Sequence, residues 1–200
     1  MAKLSEVRKA LAYRFTEPIV RLLSRTPITP SAITWFGFLL AVGAAALIIT
    51  GHLLVAGLVV FIAGFFDILD GALARRTNQV TRFGAVLDST LDRLSEAVLL
   101  LGILVFYARE GFIVGILLVS VALISSPLAS YIRARAEALG LECQVGLFTR
   151  AERVIVLALG LLLSQIDYAF LFIALAIIVL LSFFTAVQRL LYVWKQTKIN

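Results

Sequence analysis

The sequence predicts an all-α integral membrane protein: six transmembrane helices preceded by an N-terminal amphipathic interfacial helix. Three observations carry that expectation. Of the 200 residues, 62% are hydrophobic and 15% charged, whereas an ordinary soluble domain is about a quarter charged; the mean hydropathy is +1.04. The apolar residues are gathered into long runs at 32–50, 53–66, 97–107, 112–128, 154–163 and 168–187. Several of these approach the ~20 helical residues that cross a bilayer core. Finally, six spans put all but Arg109 of the 18 Lys and Arg on one side. The positive-inside rule makes that side the cytoplasm, with both termini on it, and the cell membrane the location.

Each element has its own signal. Residues 1–25 mix apolar and basic side chains, with Lys3, Arg8, Lys9, Arg14, Arg21 and Arg25 set among leucines and valines, as an interfacial helix over 4–23 requires. The same charges leave no apolar core for a cleavable leader. Thr26-Pro27-Ile28-Thr29-Pro30 breaks the chain, and helix one follows at 31–50 with Ser31 as its expected cap. Gly51-His52 is a turn, helix two runs to 75, and a polar link at 76–82 leads to helix three at 83–108. Helix four covers 112–139, a loop covers 140–148, helix five covers 150–164 and helix six 168–194. No repeat or linker divides the chain, so 1–200 reads as one membrane domain with its helical core at 31–195.

Composition also narrows the function. One cysteine, Cys143, permits no intrachain disulfide, and with the one histidine, His52, it matches no zinc-ligand spacing. The net charge of +6 is distributed by membrane side rather than along a nucleic-acid-binding face, so no nucleic acid is expected.

Four aspartates stand near the ends of helices two and three. Asp67 and Asp70 are three apart, Asp88 and Asp92 four apart, so each pair shares a helix face. A short link lets the pairs face each other. An ionised Asp inside a membrane costs about 2.5–3.5 kcal/mol on insertion scales, and four together repel. Divalent cations resolve both problems, since Mg²⁺ and Mn²⁺ take oxygen ligands and bridge carboxylates to phosphates. Two ions neutralise four carboxylates and can clamp a diphosphate. Gly71 and Ala74 lie on the Asp67 face and Gly84 on the Asp88 face, where small residues admit a phosphate close to the backbone. Arg75 lies at the mouth of the site, within reach of phosphate oxygens.

The run Asp67-x2-Asp70-Gly71-x2-Ala74-Arg75-x8-Gly84-x3-Asp88-x3-Asp92 resembles the signature of the CDP-alcohol phosphatidyltransferase family at every fixed position. The resemblance implies a six-helix, typically homodimeric, metal-dependent enzyme. It attacks a CDP-linked lipid (CDP-diacylglycerol or CDP-archaeol) with a second alcohol and releases CMP. By this resemblance Asp67, Asp70, Asp88 and Asp92 hold the metal, Asp92 is also the general base, and Gly71, Arg75 and Thr81 contact the CDP moiety. The family's cytidine-holding turn corresponds to Pro30-Ser31-Ala-Ile-Thr34; Thr34 matches it, and Ser31 replaces an amide or carboxylate.

Asp88-Ser-Thr-x-Asp92-Arg93 is similar to the inositol-phosphate branch of the family, the phosphatidylinositol phosphate and archaetidylinositol phosphate synthases, and implies inositol 1-phosphate as acceptor. A basic cluster agrees with a phosphorylated acceptor. Ser130, Arg133 and Arg135 end helix four, Arg150 and Arg153 open helix five, and Arg189 lies late in helix six. Arg133 stands where that branch has Lys, and Thr149-Arg150-Ala where it has Glu-Arg-Pro. Thr149 and Glu152 have capping-box spacing. Two alternatives stay open on sequence grounds: the same chemistry with glycerol 3-phosphate, and, at a distance, a divalent-cation transporter.

Overall fold

Pro30 opens the first helix because it has no N–H to leave unpaired there. Thr29, just outside, supplies the cap, its Oγ1 accepting from the Ala32 N–H at 3.3 Å. The cap is thus Thr29 and not Ser31, which already sits in the first turn. The computed structural model describes residues 17–199, of which 17–23 are helical; the rest of the interfacial helix expected at 4–23 lies outside the described residues. Val20 packs with Ile33, Leu69 and Leu73, which ties this segment to the charged end of the bundle.

Six helices follow: α1 (Pro30–Ile49), α2 (Leu53–Arg76), α3 (Arg82–Arg109), α4 (Ile113–Ala138), α5 (Arg150–Leu163) and α6 (Ala169–Ile199). Their limits fall within a residue or two of expectation, except that α6 runs on past 194. Four helices end alike. After α1, Gly51 takes φ +82°, its N–H bonds to Ile48 O at 3.0 Å and the His52 N–H to Leu47 O at 2.9 Å. That Schellman arrangement satisfies the last carbonyls and reverses the chain at once. Asn78 performs the turn after α2 at φ +53°, a conformation Asn tolerates better than most residues. Gly111 and Gly140 close α3 and α4 in the same way.

The closely packed neighbours are α1 with α2 and α3, α2 with α5, α5 with α6, α6 with α4, and α4 with α3. This is a closed ring in the order α1–α2–α5–α6–α4–α3. Small residues bring the walls together: an ideal Cβ on Gly102 of α3 would lie 3.0 Å from the Ala45 carbonyl oxygen of α1. One apolar core, with Ile48, Leu100, Ile103, Val119, Leu161, Leu171 and Leu175 almost wholly buried, fills the end away from the aspartates. Large apolar side chains also cover the outside, Leu39, Leu58, Ile124 and Leu180 among them, as a lipid-facing surface requires.

α1, α2, α4 and α6 are long and apolar enough to cross a membrane. α3 has 28 residues but carries Asp88, Asp92, Arg93 and Glu96 between its start and its middle. α5 has 14 residues, about 21 Å of helix against a core of ~30 Å. Its start is fixed by the expected capping box, with the Thr149 N–H donating to Glu152 Oε2 at 2.7 Å.

Candidate active site

α2 and α3 are consecutive in sequence but are not close-packed partners in the ring. The gap between them is bridged by acidic side chains. Asp67, Asp70 and Asp88 each present an oxygen, all within 4.8 Å of one another. Asp70 is 4% exposed. Its Oδ1 accepts from the Gly71 N–H, while its Oδ2 is buried without a hydrogen-bond partner among the described residues. A buried carboxylate oxygen left bare is unfavourable, and three converging carboxylates repel. A hard divalent cation removes both defects, so the donor set fits the expected metal.

Asp92, one turn beyond Asp88 on α3, lies outside that tight group. It meets Asp67 through Arg150, the first residue of α5, whose Nη1 is 2.6 Å from Asp67 Oδ2 and 2.6 Å from Asp92 Oδ1. A second rung lies one turn farther along. Arg153 is 2% exposed and donates twice to Glu96 of α3, Nε to Oε1 at 2.6 Å and Nη2 to Oε2 at 2.9 Å. α3 and α5 face each other across the ring interior, and these long arginines span the distance.

Two cavities meet at this junction. One, of about 260 Å³, lies between α1, α2, α3 and α5; Phe38, Val60, Phe61, Leu99 and Val154 make it mostly apolar, with Thr34, Asp67, Asp70 and Asp92 at its polar end. The other, of about 380 Å³, is polar and lined by Ser130, Arg133, Arg153 and Arg189 together with Asp67, Ser89, Asp92 and Arg93. Asp67, Asp92, Arg150 and Ala151 border both.

Of the residues expected to hold an acceptor phosphate, Ser130, Arg133, Arg150, Arg153 and Arg189 are brought to the polar cleft, and Arg135 is not. Two positions on a helix differ by about 200° of rotation, so Arg133 and Arg135 cannot face the same way, and Arg135 is exposed. The cleft arginines are held in place. Arg133 Nε bonds to Glu137 at 2.8 Å. Arg189 is buried, its Nε donating to Val145 O at 2.9 Å and its Nη1 to Ala129 O.

Among the residues expected to contact CDP, Thr34 shares the apolar cavity with Asp67 and Asp70. Ser31, Gly71, Ala74, Arg75, Thr81 and Gly84 line neither cavity; Ser31 sits in the first turn of α1, and the other five flank the α2–α3 link. There Gly71 leaves room for the Arg75 guanidinium, whose Nη1 would be 3.4 Å from an added Cβ. Thr81 caps α3 by accepting from the Gly84 N–H at 2.9 Å, and a Cβ on Gly84 would stand 2.9 Å from that same hydroxyl. Sequence reasoning missed Glu96. Its signal was present, since Asp88, Asp92 and Glu96 recur every four residues and so form one stripe.

Known proteins resemble the chain in both sequence and fold. Residues 27–188 match the family described as CDP-alcohol phosphatidyltransferase. The chain is 43% identical over 187 residues to the archaetidylinositol phosphate synthase of Methanothermobacter thermautotrophicus, covering 92% of this chain and 91% of that one. It is 38% identical over 202 residues to the phosphatidylinositol phosphate synthase of Mycobacterium tuberculosis, covering 97% and 92%. The crystal structure of the Mycobacterium tuberculosis phosphatidylinositol phosphate synthase PgsA1 with CDP-DAG bound superposes with TM-score 0.83 at 37% identity, over 90% of this chain and 94% of that one. The same enzyme in complex with manganese and citrate gives TM-score 0.80 at 36% identity, over 90% and 88%.

Proposed function

Because the chain belongs to the CDP-alcohol phosphatidyltransferase family, we propose that it transfers the phosphatidyl or archaetidyl group of a CDP-linked lipid to a hydroxyl of inositol 1-phosphate, with release of CMP. One observation supports the acceptor above all: the polar cleft, walled by Ser130, Arg133, Arg153 and Arg189, opens onto Asp92 beside the acidic cluster. A dianionic phosphate seated against those arginines brings the rest of the acceptor toward the carboxylate, and relatives sharing over a third of the sequence are named for this reaction.

The apolar cavity suits the hydrocarbon part of the donor, with Thr34 at its polar end. Asp67, Asp70 and Asp88, with Asp92 beside them, would hold Mg²⁺ or Mn²⁺, two ions in this reading; bound there, the metal supplies charge neutralisation of the diphosphate. Asp92 borders both cavities and accepts the proton of the acceptor hydroxyl. The hydroxyl oxygen forms its bond to the lipid-side phosphorus as the bond from that phosphorus to the CMP oxygen breaks. The arginine wall fixes the acceptor, which turns a bimolecular encounter into a positioned attack.

The reading also comprises six spans, with α3 and α5 completing the membrane domain. The basic loops, both termini and the site lie on the cytoplasmic face of the cell membrane, and the protein is the homodimer that the resemblance implies. The test is CMP release by purified protein with Mg²⁺ and CDP-diacylglycerol or CDP-archaeol, offering inositol 1-phosphate, glycerol 3-phosphate, free inositol or serine. Release with inositol 1-phosphate, reduced ~10²–10⁴-fold in Asp92→Asn, is expected. Release with glycerol 3-phosphate alone would discard the acceptor and keep the transferase.

A further inference from the structure

Arg150 occupies the wall where the two cavities meet. Its Nη1 touches Asp67 and Asp92, each at 2.6 Å, and these two carboxylates are themselves shared by both linings. A guanidinium carries five N–H donors in a fixed fork. Here one nitrogen serves two carboxylates, while Nε is buried with no hydrogen-bond partner among the described residues. The posture therefore neutralises the acidic cluster and strands a donor, which is unfavourable in a buried place.

Asp67 is also one of the three carboxylates that converge within 4.8 Å. A divalent cation bound among them draws on the oxygens that hold Arg150 and repels the guanidinium. Arg150 then has one acceptable destination. In the donor cavity Glu96 is already taken by Arg153 and Asp70 belongs to the cluster the metal would occupy; the rest of its lining, Ile33, Phe38, Val60, Phe61 and Leu99 among it, strongly disfavours a charged group without a partner. The other side is the polar cleft, which Arg150 already borders.

We propose that Arg150 is a positioning residue, the built-in counter-ion of the acidic cluster, displaced by the metal into the acceptor cleft. Without metal it closes the wall between donor and acceptor chambers. With metal it opens that wall and turns its donors, Nε included, to the acceptor phosphate. Metal loading thereby completes the acceptor site, and by thermodynamic reciprocity a bound acceptor phosphate tightens the metal. The inference rests on the metal-dependent transfer proposed above, but its test requires binding alone.

Mn²⁺ affinity is measured on the full chain in detergent micelles, from the electron paramagnetic resonance signal of free Mn²⁺, for wild type, Arg150→Gln and Arg150→Lys. Losing the competing cation should tighten Mn²⁺ about tenfold in Arg150→Gln, within the ~5–150-fold span of coupled sites. Arg150→Lys, whose single ammonium competes less well, should fall between. In wild type, Mn²⁺ should raise the affinity for inositol 1-phosphate by a comparable factor, and in Arg150→Gln that factor should fall to near one. A purely structural ion pair predicts lower melting temperatures with Mn²⁺ affinity unchanged or weaker in both variants, and that result overturns the proposal. Should Arg150→Gln not fold, the Lys variant decides by the same criterion. Should inositol 1-phosphate fail to bind wild type even with Mn²⁺, the acceptor assignment fails; the Mn²⁺ comparison, repeated with inorganic phosphate as the anion, still decides the role of Arg150.

Discussion

Replacing Glu96 alone with Leu should destabilise the protein far more than replacing Glu96 and Arg153 together. Arg153 is 2% and Glu96 7% exposed, and two charge-assisted hydrogen bonds of 2.6 and 2.9 Å join them. Removing one partner leaves the other charged, buried and unpaired, which costs about 3–5 kcal/mol. For a chain of this size ~1 kcal/mol moves the melting midpoint about 2–4 °C. Glu96→Leu or Arg153→Met should therefore each lower it by roughly 6–20 °C. In the double variant two apolar side chains of similar volume meet where the ions were, a replacement that is often neutral. Its midpoint should return to within a few degrees of wild type, while acceptor binding, in which we place the Arg153 charge, should stay lost. The assay is a double-mutant cycle of thermal unfolding in detergent, followed by circular dichroism and paired with CMP release. Additive losses in the double variant, or single variants melting within about 2 °C of wild type, would refute the reasoning.

Two further outcomes follow from close contacts at the site and in the bundle. Mn²⁺ added at about 100 times its dissociation constant should stabilise the metal-stripped protein by about 2.7 kcal/mol. Most of that gain should vanish in Asp70→Asn, because in the proposed site the metal satisfies Asp70 Oδ2, which has no hydrogen-bond partner among the described residues; equal shifts in both proteins would remove Asp70 from the metal site. Gly102→Val should lower the midpoint by an amount equivalent to about 1–3 kcal/mol. The contacts at 3.0 and 3.1 Å are to the Ala45 backbone, which can yield only by moving α1 from α3; an unchanged melt would show that the two helices separate freely.

The helices were legible residue by residue because each is set by local signals. Long apolar runs bounded by Thr-Pro, Gly-His and Gly turns leave little freedom in where a helix starts or stops. The cap of α1 was misplaced by two residues because Thr29 and Ser31 flank Pro30 and are chemically alike; the preference of Pro for the first helical position decides between them. The number of membrane crossings was less legible than the number of helices. α3 carries charged groups from Asp88 to Glu96, and α5, with 14 residues, is shorter than the usual spanning helix, so length and apolarity mark neither as a crossing.

By itself, the sequence determined which residues share a face: Asp67 with Asp70, Asp88 with Asp92 and Glu96, Ser130 with Arg133, and Arg150 with Arg153. Helical geometry fixes these relations whatever the packing, and the same geometry sets Arg135 apart from Arg133. Only the tertiary structure decided which faces meet. The ring order places α5, distant in sequence, opposite α3, so that Arg150 reaches Asp67 and Asp92 and Arg153 reaches Glu96. Nothing local specifies those pairs, because a buried guanidinium takes whichever carboxylate the packing sets within its length. Charge and burial could foretell that each arginine needs a partner; the closure of six helices into one ring assigned it.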